Sequence, residues 1–294
     1  MMKEENKVID ERYVYKPKKR KLKPFEIING IVFVIISLII IIPIWKVLVD
    51  SLDAKTAYGL NLLPQTFSLV GYKIIVTTES LYRPFIISIV TTLAGTFLGL
   101  LLSTLGAYVL IQYEMPLRNL FANLLLFTML FNGGMIPTYL VYKQLHFTNT
   151  LLAVLIPLSI NVYNLVLMRN FFDGIPKGLF EAAAIDGCSP MRIFIQIVLP
   201  LSKAALASIG LMFAVGFWND YTNYKLYITD SKWYNFQMKL RGMMLGSDLP
   251  TASGVSENTL KNSAVMVAII PFMIIYPFCQ QYFVKGVNIG AVKE

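Results

Sequence analysis

Apolar residues along this chain come in long runs rather than in narrow stripes or strict alternation. Six of these runs are close to the roughly 20 residues that a helix needs to cross a hydrocarbon core. They cover residues 28–49, 85–111, 119–141, 151–170, 204–223 and 263–284. The first would extend about 33 Å at the helical rise per residue. The fourth is the most polar, carrying Asn161, Tyr163 and Asn164. The pattern predicts an all-α fold: a polytopic membrane protein with six transmembrane helices. A basic tail of residues 1–27 would precede a membrane domain of residues 28–284, and residues 285–294 would form a C-terminal tail.

Composition agrees with that class. The chain is 56% hydrophobic and only 15% charged, with a mean hydropathy of +0.60. The net charge of +9 does not point to nucleic acid, because nine of the 26 Lys and Arg fall in residues 1–23. Beside a first span, such a run reads as an anchor against anionic lipid. With the N-terminus inside, inner segments hold sixteen Lys and Arg against nine outside, Lys46 standing at a helix end. The tail decides that balance, and short flanks near membrane ends weigh most. The expected location is the plasma or inner membrane, with both termini cytoplasmic. The 27 polar or mixed residues before the first run are too long for a cleavable leader.

The longest inner connection, about residues 171–203, holds a helix–turn–helix pattern. Ile175-Pro176 opens a helix, and Leu179, Phe180, Ala183 and Ala184 share one face at helical spacing. Gly187 follows Asp186 where a left-handed closing residue is expected. Ser189-Pro190 reads as N-cap and first-turn proline of a second helix, and Pro200 limits that helix. Local physics leaves two readings open: a docking device for another protein, or an amphipathic connector lying on the lipid.

The pattern Glu181-Ala182-Ala183, Asp186-Gly187, Ile197 and Leu199-Pro200 resembles the EAA loop of ABC-importer permeases. Ser202-Lys203-Ala204-Ala205 departs from it where members often carry a further proline. Phe131 to Tyr139, Trp218-Asn219-Asp220-Tyr221 and Tyr282 to Gly286 are similar to carbohydrate-uptake permeases of the maltose-system type, and more narrowly to the complex polysaccharide or oligosaccharide branch. The resemblance implies a permease subunit that moves a sugar by alternating access. Glu181, Ala182, Ala183, Asp186 and Gly187 would form the cytoplasmic coupling-helix loop that grips an ATPase. The implied partners are a second, related permease chain forming a heterodimer, two ATPase subunits carrying ATP and Mg, and an extracytoplasmic substrate-binding protein.

Candidate path residues follow from polar and aromatic positions at membrane depth. Asn132-Gly133-Gly134 with Pro137 predicts a kink or a broken helix in the third span, either lining a path or serving packing. Asn132 and Tyr139 belong to this stretch. Asn161, Tyr163 and Asn164 suit sugar hydroxyls and ring faces, or hydrogen bonds between helices. Trp218, Asn219 and Tyr221 end the fifth span, where an aromatic belt is the alternative, and Asp220 reads as a loop holder.

Neither an enzyme nor a cofactor is expected. The chain has no phosphate-loop motif, one histidine and two cysteines without metal spacing. ATP hydrolysis would reside on the partner. A permease for a non-carbohydrate substrate is the first alternative. An ion-coupled secondary transporter would want ionisable groups at span centres, which are nearly absent here.

Overall fold

The computed structural model describes residues 24–55, 59, 61–112, 115–246 and 255–290, from 281 onward as backbone only. The basic run up to Lys23 and the last four residues of the expected C-terminal tail lie outside the described residues. The chain divides into two compact units, Met1–Lys46 and Val47–Glu294. The first contains the start of α1 (Pro24–Ser51), whose apolar side chains from Phe25 to Trp45 are largely exposed. In water such a helix would be costly; in hydrocarbon it satisfies every internal backbone group and needs no further cover.

The second unit begins with the end of α1 and is helical, with no strand among the described residues. Its elements are α2 (Val70–Thr77), α3 (Glu79–Ile111), α4 (Arg118–Leu130), α5 (Met135–Gln144), α6 (Leu152–Ser159) and α7 (Val162–Asp173). Then come α8 (Lys177–Ile185), α9 (Pro190–Ile193), a π turn (Phe194–Val198), α10 (Leu199–Leu201) and α11 (Lys203–Trp218). After α12 (Thr222–Tyr227), a 3-10 turn (Ser231–Trp233), α13 (Phe236–Met244) and α14 (Glu257–Gly290) complete the order. Among the described residues, four stretches are long and apolar enough to cross a membrane, or up to six if each of two bent pairs is one span.

The core is organised on α3. Thr91, Gly95, Gly99, Ser103 and Ala107 recur every fourth residue and are all buried, giving a smooth stripe that lets neighbouring backbones approach. Phe217 of α11 sits over Gly95, and the Phe213 ring would lie 2.7 Å from a Cβ added at Gly99. Leu165 of α7 fills the space at Gly106 in the same way. Shape complementarity of this kind replaces the hydrophobic driving force that lipid removes. A second cluster joins Ile75, Leu81, Phe236, Met243, Leu260 and Ala264, at the other end of α3.

The structure shows the expected break in one span and shortens another. The third, expected over 119–141, is broken: α4 and α5 are bent by 114°. Gly134 adopts φ +92° and ψ 165°, a region open essentially to glycine alone. The Asn132 Oδ1 accepts the Gly134 N–H at 2.9 Å and holds the break. The fifth, expected to run to residue 223, ends at Trp218 and meets the Pro190–Leu201 stretch at 82°. Asp220 ends it by offering Oδ1 to the N–H of Asn223 at 3.2 Å, which starts α12 instead.

The connection after α1 closes around one buried carboxylate. Asp53, 2% exposed, accepts the N–H groups of Lys55, Gln65 and Thr66 and the Thr66 hydroxyl. Its carbonyl accepts the Thr259 hydroxyl of α14 at 2.6 Å. Burial pushes the Asp53 carboxyl up, but the Thr66 hydroxyl and the three N–H donors together hold it below the ordinary carboxylate value. A depressed carboxyl contributes stability above its unfolded pKa, and that contribution is lost as pH falls through the folded one. Melting of the detergent-solubilised chain is therefore expected to drop below about pH 4. Asp53→Ala should lose about 1–3 kcal/mol at neutral pH, the cost of stranding buried donors, and should flatten the acid limb.

Candidate functional site

The connection between α7 and α11 folds as a helical hairpin. At the end of α8 the Cys188 N–H reaches the Ala183 carbonyl at 2.9 Å and the Gly187 N–H the Ala184 carbonyl at 3.0 Å. This doubly bonded closure requires a left-handed residue between them, and Gly187 has φ +74°. A Cβ added at Gly187 would meet nothing within 4 Å, so the glycine serves backbone conformation and not packing. The next helix starts on the Ser189 side chain, which accepts the Arg192 N–H, with Pro190 in the first turn. Further on, Pro200 has no N–H to offer the Gln196 carbonyl. The helix widens into the π turn, in which the Leu199 N–H bonds the Phe194 carbonyl.

One face of the hairpin is rooted in the core. Ala183, Ile193, Phe194 and Val198 are buried in the same cluster as Ala107, Tyr108 and Ile111 of α3 and Met168 and Phe172 of α7. Phe180 and Cys188 pack against its edge. Tyr108 makes the firmest tie: its hydroxyl donates to the Pro190 carbonyl at 2.8 Å, and its ring lies 4.9 Å from that of Phe194. Tyr108→Phe should weaken the fold by about 1 kcal/mol, the worth of one such bond, seen as a lowered melting temperature. A hairpin attached through its ring contacts alone would melt unchanged.

The other face is bare. Glu181, Ala182, Ala184, Asp186 and Gly187 are exposed, Leu179 is 42% exposed and Ile185 86% exposed. The sequence pattern groups Leu179, Phe180, Ala183 and Ala184 on one face. The structure instead turns Phe180 and Ala183 inward and leaves Leu179 and Ala184 outward. Small residues flanked by two carboxylates and an isoleucine make a shallow knob. It can enter a cleft of another protein, and it holds no group placed for catalysis. Among the described residues no group of three or more His, Cys, Asp or Glu could hold a metal ion.

The candidate path residues fall at three corners. Asn132 is exposed within the α4–α5 break, and Tyr139 beyond it stacks at 6.1 Å on Tyr227. At the α6–α7 break, Asn161 is exposed and caps α7 by accepting the Asn164 N–H at 3.0 Å. Tyr163 is half exposed beside it, whereas Asn164 is buried. At the end of α11, Trp218 is buried and donates its indole N–H to the Ala268 carbonyl at 3.1 Å. Its ring meets Phe85 and Phe272 edge-on. Asn219 is exposed and accepts from Gln237, and the Arg241 guanidinium lies 4.2 Å over the Tyr221 ring. Asn164 and Trp218 therefore work inside the packed chain, and the other six present polar or aromatic surface. Tyr108 had no signal in the sequence, because its partner Pro190 is 82 residues away.

Comparison with known proteins places this architecture. Residues 21–289 match the family described as binding-protein-dependent transport system inner membrane component. Protein LplC of Bacillus subtilis (strain 168) is 38% identical over 92% of this chain and 95% of its own length. The polygalacturonan/rhamnogalacturonan transport system permease protein YtcP of the same organism is 38% identical over 87% of this chain and 94% of its own. A crystal structure of a bacterial ABC transporter involved in the import of the acidic polysaccharide alginate contains a similar chain. It superposes with a TM-score of 0.83 at 27% identity, covering 90% of this chain and 99% of that one. The chain thus belongs to the family of binding-protein-dependent transport system inner membrane components and is a transporter subunit, not an enzyme.

Proposed function

We propose that this chain is one of two permease subunits of an ATP-driven importer that moves an oligosaccharide into the cell by alternating access. The observation that carries the reading is the α8 hairpin. Its inward face, Ala183 included, is locked into the α3 core, and its outward face, Glu181, Ala182 and Ala184 to Gly187, is bare and rigidly turned. A knob built this way transmits displacement, because its buried face must move with the core. In this reading a pair of ATPase subunits holds the knobs of this chain and of a related second permease. ATP closes the pair, the hairpins follow, and the helices reopen toward an extracytoplasmic binding protein. Both termini and the hairpin face the cytoplasm, and residues 28–284 form the membrane domain. ATP and Mg stay on the ATPase.

The path would be lined by members of the three corners, of which Asn132, Asn161, Tyr163 and Asn219 are exposed and Tyr139 and Tyr221 half-buried. Neutral donors and acceptors suit sugar hydroxyls, and the Tyr163 ring suits a sugar ring, while Asn164 and Trp218 support them from behind. The absence of buried residues in α4 and α5 fits a surface that a second permease covers. The oligosaccharide reading is supported by the named substrates of YtcP and of the alginate importer. The test is uptake of labelled oligogalacturonides by cells carrying the intact system and by cells lacking only this chain. Accumulation that requires both this chain and ATP supports the reading. Equal accumulation without the chain sinks it.

A further inference from the structure

The second half of the broken third span is a helix without a core of its own. α5 has no buried residue, and the 114° bend parts it from α4. Such a helix is placed by whatever its sides touch. Tyr139 and Tyr142 stand three residues apart, on one face of α5. Both rings meet the same partner, Tyr227 at the end of α12. The Tyr139 ring stacks on it at 6.1 Å and 14°, and the Tyr142 ring lies against it at 4.7 Å and 42°. Aromatic pairs attract at such separations.

Tyr227 is itself held firmly. It is 5% exposed, whereas Tyr139 and Tyr142 are half-buried. Its carbonyl accepts the Asn149 N–H at 2.7 Å, and the Asn149 side chain accepts the N–H groups of Thr229 and Asp230 at 3.2 and 2.8 Å. Earlier on α12, Tyr224 is fully buried and its hydroxyl donates to that of Thr91 on α3 at 3.1 Å. The Thr91 hydroxyl in turn donates to the Ile87 carbonyl at 2.8 Å. α12 is therefore fixed to α3, and the Tyr227 ring is the fixed surface on which α5 leans.

We propose that Tyr227 is a positioning residue of the transport path: it clamps α5 through Tyr139 and Tyr142 and so sets where Tyr139 meets the substrate. The proposal rests on the import reading above and adds a residue that acts through another. The clamped arrangement is the one that binds. Unclamping lowers its population, and apparent affinity falls by the same fraction. Turnover is driven from elsewhere. The hairpin is tied to Tyr108, which lies about 26 Å from Thr91 along α3 at the helical rise per residue. Loss of the Tyr227 ring therefore acts on KM and spares kcat.

The experiment has two arms. In the first, spin labels at Lys73→Cys on α2 and Lys143→Cys on α5, both exposed positions, report their separation by double electron–electron resonance. The full-length chain is used in phosphatidylcholine nanodiscs, with Cys188→Ser and Cys279→Ser. The labelled parent should give one narrow distance distribution and Tyr227→Ala a broad one. Tyr227→Phe keeps the ring and should restore the narrow one. Alanine at this position keeps the carbonyl that Asn149 bonds and leaves Tyr224 in place, so the chain should fold. Tyr142→Ala removes one ring contact from the α5 side and should also broaden the distribution, which decides the matter even without folded Tyr227→Ala. In the second arm, uptake of labelled trigalacturonate by the intact system is measured per folded transporter. Tyr227→Ala should raise KM about fivefold or more with kcat within about twofold of wild type, and Tyr227→Phe should keep both. Narrow distributions in the alanine variants, an unchanged KM, a loss confined to kcat, or a phenylalanine variant that behaves as alanine overturns the proposal. Absence of uptake by the wild type would count against the import reading instead, and the spin-label arm, which needs neither ATPase nor substrate, would still decide the clamp.

Discussion

Gly95→Leu should abolish accumulation of folded chain in the membrane. A Cβ built on Gly95 lies far inside van der Waals contact with the edge of the Phe217 ring. Phe217 is 2% exposed, so the ring has no free direction in which to swing. The Gly95 carbonyl also accepts the Ser159 hydroxyl at 3.3 Å, so α3, α6 and α11 all meet at this point. Overpacking of this kind costs about 1–3 kcal/mol or more in a tight core, and a leucine at a helix crossing belongs at the upper end. Fluorescence-detected size exclusion of the solubilised chain checks this: the monodisperse peak should vanish. Gly95→Ala/Phe217→Leu, which exchanges volume across the contact, should recover a substantial part of it. A normal peak for Gly95→Leu alone would show that the α3–α11 approach is looser than described.

Gly187→Pro should leave the chain in the membrane but reduce transport at least tenfold. Proline fixes φ near −65°, whereas the turn needs +74°, and it removes the N–H that bonds the Ala184 carbonyl. The strain and the lost bond together cost about 2–4 kcal/mol, concentrated in a surface turn with no neighbour within 4 Å of the added Cβ. The core face of the hairpin is spared, so expression should be near normal while the exposed knob changes shape. Gly187→Ala, with the conformational cost alone, should fall between the two. Uptake per folded transporter is the measurement, and unimpaired uptake by the proline variant would separate the turn from function.

The elements that were legible in the sequence are those whose signals are local. Ser189-Pro190 and Gly187 act on their own backbone and immediate neighbours, and the structure places a cap and a left-handed turn there. Gly133-Gly134 and Pro137 announced a break, but the 114° angle depends on the single conformation of Gly134. The fifth span was drawn to residue 223, past the polar Asn219-Asp220 pair, although the Asp220 carboxylate accepts the Asn223 N–H at the start of the next helix. Residue type alone left Asn164 open between a sugar contact and a bond between helices, and Trp218 between the path and a membrane belt. The burial of Trp218 is decided by Ala268 and Phe272, distant in sequence. The four-residue spacing of Gly95 and Gly99 was visible, yet its meaning lay in Phe217 and Phe213, more than a hundred residues further on.

The central claim is that the bare face of the α8 hairpin grips an ATPase. Its most direct test is affinity purification of this chain from its native membrane, wild type beside Glu181→Ala and Gly187→Pro, with identification and ATPase assay of what accompanies it. The account predicts that an ATPase and a second permease accompany the wild type. It also predicts that the ATPase is lost, or no longer stimulated by the binding protein, in the two variants, while the second permease is retained. A wild-type chain that purifies alone, or variants that keep a fully stimulated ATPase, would contradict it and leave the hairpin as a connector lying on the lipid.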